Sequence, residues 1–253
     1  VAHFRKAVRT EQTDLYVKHE LFNALVAAGK RAEGVRYLES EKKAVQSSPL
    51  LVHDLLTVYL DRDDYTRFDA LCGNVNFSPN FQISGPHNLW LRRQFQEAVQ
   101  LAQKGRLERA LEILRDMKPP SAHLGIESFK DLEDDRRYYH MGRVYEQMGD
   151  MDKARSCWEK ALTFEHGMYY EPGFWFGAWN KRYFQALSLQ KLGRNTEATV
   201  FFDALELITR CPDLPVTARE AMMDLVERGR FASDEEKDPL WKTVVKVETK
   251  AEE

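Results

Sequence analysis

Apolar side chains recur along this chain at helical spacing, in pairs of stripes joined by short turns. The clearest pair lies around Gly149, where Tyr138, Met141, Gly142 and Tyr145 fall at i, i+3, i+4 and i+7, and Ala154, Trp158 and Ala161 form a facing stripe. That spacing predicts two amphipathic helices folded back on each other. Small Gly142 and Ala154 let the backbones approach, Gly149 supplies the positive φ that ends the first helix, and Asp150 or Asp152 caps the second. The same template fits Ala186, Leu189, Ala198, Phe202 and Leu205 around Gly193, closed by Pro212. It fits Ala98, Leu101, Ala110, Leu114 and Met117 around Gly105, closed by Pro119-Pro120. Leu21, Phe22, Leu25, Gly29, Gly34 and Leu38 make a further hairpin that ends before Pro49. Leu55, Leu56, Tyr59, Asp63, Phe68 and Cys72 make a degenerate one. Gly105, Gly149 and Gly193 are 44 residues apart, the register of an internal repeat. No alternating apolar and polar stretch competes, so strands are not expected.

The pattern divides the chain into a partial repeat helix at 1–14, five repeat hairpins over 15–212, a capping helix at 213–232 (about Val216 to Arg228) and a charged tail at 233–253 expected to be flexible. Three connections read as long: Gly73 to Asn88, Lys118 to Glu133 and His166 to Asn180, where insertions usually carry function. Val1-Ala2-His3-Phe4-Arg5-Lys6-Ala7-Val8 already reads as helix in mid-course. The chain is therefore expected to be a segment of a longer protein, with any targeting signal upstream.

Composition narrows the function more than the fold. With 37 basic and 40 acidic residues and no Lys/Arg block, nucleic acid is not an expected partner. No apolar run is long enough to span a membrane, so neither is a bilayer, and a cytoplasmic location is the expectation. Cys72, Cys157 and Cys211 are odd in number and outside any C-x-x-C spacing. They read as buried thiols, and no metal is expected.

The Gly149 pattern resembles the tetratricopeptide repeat. The resemblance implies an all-α, right-handed superhelical stack of helical hairpins, an α–α solenoid, here with long insertions between repeats. A finer likeness lies over residues 85–210, in the order Met117-Lys118-Pro119-Pro120-Ser121-Ala122-His123-Leu124-Gly125, Tyr138-Tyr139-His140-Met141-Gly142, Met168-Tyr169-Tyr170 and Gln185-Ala186-Leu187-Ser188-Leu189-Gln190-Lys191-Leu192-Gly193-Arg194. It is similar to the C-terminal tetratricopeptide region of large, mostly bacterial proteins with an upstream β-sandwich domain expected to act on carbohydrate. The co-chaperone form of the repeat holds a peptide carboxylate with Lys and Asn at fixed first-helix positions. Asn23 matches one, but His19 stands where the Lys should be, and Arg143 and Leu187 stand where another Asn would serve. That clamp is not assembled, and binding of chaperone tails is not expected.

The register places Arg92, Phe95 and Val99, then Arg136, Tyr139, Arg143 and Glu146, then Asn180, Tyr183, Leu187 and Gln190 on the inner face of successive first helices. Arg forks beside aromatic rings suit an acidic peptide, a carboxylate or a sugar; the competing reading is a solvated repeat surface. The insert Met168-Tyr169-Tyr170-Glu171-Pro172-Gly173-Phe174-Trp175-Phe176-Gly177-Ala178-Trp179 holds six aromatics in eleven residues. Tyr169, Tyr170, Trp175 and Trp179 either pack between hairpins, dock on a missing domain or stack on a sugar. His53, His87, His123, His140 and His166 show no H-E-x-x-H spacing and read as surface or satisfied core residues. Glu133-Asp134-Asp135 reads as charge at a helix start rather than a glycosidase pair. No nucleophile elbow, P-loop or dinucleotide fingerprint is present, so no catalytic residue and no cofactor is expected in this segment. The expected role is a non-catalytic interaction or scaffolding module that binds its own upstream domain, another protein or an oligomer mate. The alternative is that the insert lends aromatic residues to a carbohydrate site of the parent.

Overall fold

The computed structural model describes residues 2–3, 14–76, 85–117, 134–163, 175–210, 216–232 and 237–238, and of residues 85–88, 175–181 and 217–218 the helical backbone alone. The described residues form twelve helices and no strand. They are α1 (Leu15–Ala27), α2 (Arg31–Ser40), α3 (Lys42–Ser47), α4 (Pro49–Leu60), α5 (Tyr65–Gly73), α6 (Gly85–Gln103), α7 (Leu107–Arg115), α8 (Asp134–Gln147), α9 (Met151–Ala161), α10 (Trp175–Lys191), α11 (Asn195–Thr209) and α12 (Val216–Phe231). The fold is all-α, a succession of helical hairpins.

The hairpins turn by one repeated device. Gly149 has φ +78°, and around it the Asp150 N–H bonds the Tyr145 carbonyl at 3.0 Å while the Gly149 N–H bonds Glu146 at 3.0 Å. This paired arrangement satisfies the last carbonyls of α8 and reverses the chain. The Asp150 carboxylate then accepts from the Lys153 N–H at 3.1 Å and starts α9. Gly29, Gly105 and Gly193 repeat the step. In the α4–α5 hairpin Asp63, at φ 56°, takes the position that glycine holds elsewhere, with the Asp64 N–H bonded to the Tyr59 carbonyl at 2.9 Å.

The chain forms two compact units: 1–93 with 118–130, and 94–117 with 131–253. In unit 1, α1 and α2 pack together, as do α4 and α5, and α1 and α2 also meet α4. Its core holds Leu38, Leu51, Leu56, Leu60 and Phe68, none with exposed surface. Ser48 accepts from the Leu51 N–H at 3.3 Å, and Pro49 follows as the first residue of α4.

In unit 2, α8 packs on α9 and α10, α10 on α11, and α12 on both α10 and α11. Trp158 is fully buried over Gly142, where a Cβ would lie inside the indole ring's contact distance. Gly229 seats α12 in the same way against Phe202 and Tyr183. Cys72 and Cys157 are buried free thiols. Burial pushes Cys72 up to about 12 and also raises Cys157. Cys211 lies outside the described residues.

Two of the connections read from sequence are shorter than expected. Residues 85–88 are already the first turn of α6, and 175–180 already belong to α10. Gly177 and the aromatic run Trp175 to Trp179 look like loop by composition, yet the backbone there continues the helix that the stripe from Tyr183 onward requires. Pro119-Pro120, Tyr169, Tyr170, the connection 118–133 and the tail 239–253 lie outside the described residues.

Candidate functional site

The inner face of unit 2 is built on α8 and α10. Arg136 lies over the ring of Phe95 at 4.4 Å and that of Phe184 at 5.1 Å, so two aromatic faces hold its guanidinium. One turn on, the Tyr139 hydroxyl accepts from Arg143 Nη1 at 3.2 Å. Arg143 Nε lies 3.4 Å from the Glu146 carboxylate, which Lys191 of α10 also holds at 3.0 Å. His140 is fully buried within a ring cage of Phe95 at 5.3 Å, Tyr139 at 5.5 Å and Phe184 at 5.6 Å. Burial, reinforced by Arg136 and Arg143, holds the imidazole pKa well below its ordinary value, so the ring is neutral.

Residues 237 and 238 return to this face. Asp238 is 1% exposed, with Oδ2 3.5 Å from His140 Nδ1. The Tyr183 hydroxyl donates to the Lys237 carbonyl. Burial works against the charge on Arg143, but Tyr139, Glu146 and Asp238 outweigh it and its pKa is raised. The arrangement is a polar pocket in an aromatic setting that holds one carboxylate and one main-chain carbonyl.

Beside it is a cavity of about 650 Å³, whose walls include Tyr139, Gln190, Lys191, Asn195, Phe202 and Arg230. Its size is that of a small-ligand or side-chain pocket. Gln190 donates to the Gly229 carbonyl at 3.1 Å and ties α10 to α12 across it. Phe231, at the end of α12, lines the opening and is 79% exposed.

The structure changes the reading of the inner face. Phe95, Tyr139 and Tyr183 are each 1% exposed or less, and Arg143 is 7% exposed. They are not an open ring-and-guanidinium surface. The rings of successive first helices pack on one another, because an aromatic side chain has more apolar area than one helix can cover. Val99 and Leu187 are buried too, Arg136 is half-buried and Glu146 is spent on Arg143 and Lys191. Arg92 belongs to unit 1, exposed and 3.7 Å from Asp61. The side chains of Asn180, Trp175 and Trp179, and all of Tyr169 and Tyr170, lie outside the described residues.

Unit 1 holds its own carboxylate in a comparable way. His19 Nδ1 is 2.7 Å from Asp54 Oδ2, and Asn23 Nδ2 is 2.9 Å from His19 Nε2. Asn23, the one position that matches the peptide clamp, is thus engaged by His19, and His19, which stands where the clamp has Lys, by an aspartate of α4.

Sequence reasoning missed His140 and Asp238 as partners. The signal was local: Asp238 precedes Pro239-Leu240-Trp241, an apolar trio in an otherwise charged stretch. Among the described residues no group of His, Cys, Asp and Glu could hold a metal, and no helix is long and apolar enough to cross a membrane. No curated protein matches the chain in sequence. The tetratricopeptide repeat pattern matches residues 135–165, which are nearly all of the α8–α9 hairpin, so the hairpin that carries this site is a tetratricopeptide repeat.

Proposed function

We propose that the chain is a protein-binding module that takes a segment of its partner along the inner face of unit 2, over the cavity between α10, α11 and α12. Tetratricopeptide repeats mediate protein–protein contacts, and the α8–α9 hairpin is one. The observation that carries the finer reading is the cavity itself, where hydrogen-bonding Gln190 and Asn195 and cationic Lys191 and Arg230 surround Phe202. Mixed polar walls around an aromatic floor give orientation as well as affinity. Exposed apolar residues one heptad apart, Val200 and Leu207 on α11 and Val216 and Met223 on α12, favour a macromolecular partner over a small one.

A photoreactive phenylalanine analogue at Phe231 should cross-link one discrete protein in a lysate of the source organism. The same probe at Met151, exposed on α9, should not. Equal labelling from both positions would remove the reading.

The identity of that partner as an upstream domain, another protein or an oligomer mate is open to the same probe. A place in a larger carbohydrate-related protein, with Tyr169, Tyr170, Trp175 and Trp179 near a sugar, rests on the motif order over residues 85–210. A glycan panel that leaves the melting temperature unmoved would count against it.

A further inference from the structure

We infer that the pocket around His140, Arg143 and Tyr183 recognises an acidic linear segment of a partner protein through one aspartate carboxylate and the preceding main-chain carbonyl, and that the chain's own Lys237–Asp238 occupies this pocket as an internal tenant. The inference rests on the protein-binding reading above and names both the chemistry of the partner and what stands in its way.

Nothing in the Asp238 side chain itself draws it inside. It follows Ser233-Asp234-Glu235-Glu236-Lys237, a stretch with the composition of a solvated turn, and burying a carboxylate without compensation is among the costliest steps a chain can take. Yet it is 1% exposed. The pocket's groups are themselves fixed, and the charge of Asp238 acts on one of them, Arg143. Arg143 is held by Tyr139 at 3.2 Å and Glu146 at 3.4 Å, and Arg136 is stacked on Phe95 and Phe184. The neutral His140 offers a ring nitrogen at 3.5 Å rather than a second charge. A pocket pre-organised in this way favours a carboxylate over a neutral side chain of the same shape.

The second contact reads no side chain. Tyr183 donates to the carbonyl of Lys237, a group that every residue of a linear segment presents. One main-chain bond plus one side-chain anchor is the usual form of peptide capture. The cavity begins at the same place, since Tyr139 and Lys237 both line it. It offers room for the residues that flank a partner's aspartate, with Lys191, paired to Glu146, and Arg230, paired to Asp203 and Glu206, in its wall.

The tenant is joined to the end of α12 by a few residues only, so its effective concentration at the pocket is on the order of millimolar. A partner segment must outcompete it.

The test uses the full chain and a fluorescein-labelled peptide of residues 233–242, Ser-Asp-Glu-Glu-Lys-Asp-Pro-Leu-Trp-Lys, read by fluorescence anisotropy. The wild-type chain should bind it weakly. Asp238→Ala and Asp238→Asn chains should bind it at least about 10-fold more tightly, a difference of about 1.4 kcal/mol. A peptide whose sixth residue is Asn instead of Asp should lose that gain. In the Asp238→Ala chain, Tyr183→Phe should weaken the peptide about 2- to 10-fold, the range for one hydrogen bond. It deletes a single hydroxyl, so it tests the pocket without the folding risk of removing buried Arg143.

Equal affinity for wild-type and Asp238→Ala chains, or no binding to either, overturns the inference. If the cross-link from Phe231 is nonetheless obtained, the protein-binding reading stands and only the acidic tenant falls. If the cross-link is lost while the peptide result holds, the pocket and its tenant stand and the wider inner-face reading falls. A dimer seen by sedimentation and dissolved by Asp238→Ala would place the segment in a second copy and overturn the internal tenancy.

Discussion

Gly142 and Asp63 show how much a single position decides in this fold. The indole of Trp158 occupies the space a side chain at 142 would need, and Trp158 is fully buried with no room to retreat. Gly142→Ala should therefore cost about 1–3 kcal/mol in urea unfolding, the range for overpacking; a loss below about 0.5 kcal/mol would mean that α8 and α9 separate easily. Asp63 sits at φ 56° in the one such turn, among the described hairpins, that lacks glycine. Asp63→Gly relieves the left-handed strain, and the flexibility it adds to the unfolded chain offsets part of the gain, so a net stabilisation of about 0.5 kcal/mol is expected. The spacing from Tyr138 to Ala161 already indicated a close crossing at Gly142. It did not say that Trp158 is the residue above it, because which side chain of a facing helix lands over a glycine depends on the crossing geometry.

Among the elements, α12 depends most on one contact. It lies on α10 and α11 through Gly229, where an added Cβ would fall within 3 Å of the rings of Phe202 and Tyr183, and Gln190 bonds the Gly229 carbonyl at 3.1 Å. Gly229→Val should lift this helix. Amide exchange across residues 219–231 is expected to accelerate at least about 10-fold while that of α8 and α9 stays near wild type. Uniform acceleration would show that α12 unfolds together with the hairpins. At α4, Ser48 is 4% exposed and caps the helix through the Leu51 N–H, so Ser48→Ala should cost about 1 kcal/mol in the same unfolding assay. Helix existence was legible from the stripes. Helix starts at 85 and 175 were not, because glycine, proline and crowded aromatics read as loop when the packing that extends the helix is not in view.

Stability against pH belongs to the whole chain, and the buried carboxylate of unit 1 gives it a definite sign. Burial raises the Asp54 pKa to about 6, with the hydrogen bond and charge of His19 opposing and Glu20 adding to the rise. Nearby His53 is lowered by its own burial and by His19. The native state thus holds a proton on Asp54 between the ordinary aspartate value and about 6, where the unfolded chain has released it. Stability from this group is full below that window and is lost as pH rises through it. Asp54→Asn keeps an acceptor for His19 without the charge. It should be more stable than wild type by about 1–2 kcal/mol at pH 7.5 and indistinguishable at pH 4, by chemical denaturation across that range. A difference that grows toward acid pH would mean that the ionised Asp54–His19 pair is net stabilising.

The sequence by itself determined the paired helices of the hairpins though not all their bounds, the hairpin turns at Gly29, Gly105, Gly149 and Gly193, and the repeat between residues 135 and 165, because periodicity and left-handed turns are local properties that a short window contains. Only the tertiary structure decided that the rings of the inner face and the Arg143 guanidinium are packed rather than displayed, and that His19 and His140 each lie against an aspartate. Asp54 and Asp238 stand 35 residues beyond His19 and 98 beyond His140. Apolar neighbours in sequence hint at burial of both, but nothing in the local pattern names the partner of either carboxylate. That burial is stable only once distant helices have assembled the donors that offset its desolvation, and those donors are brought together by packing.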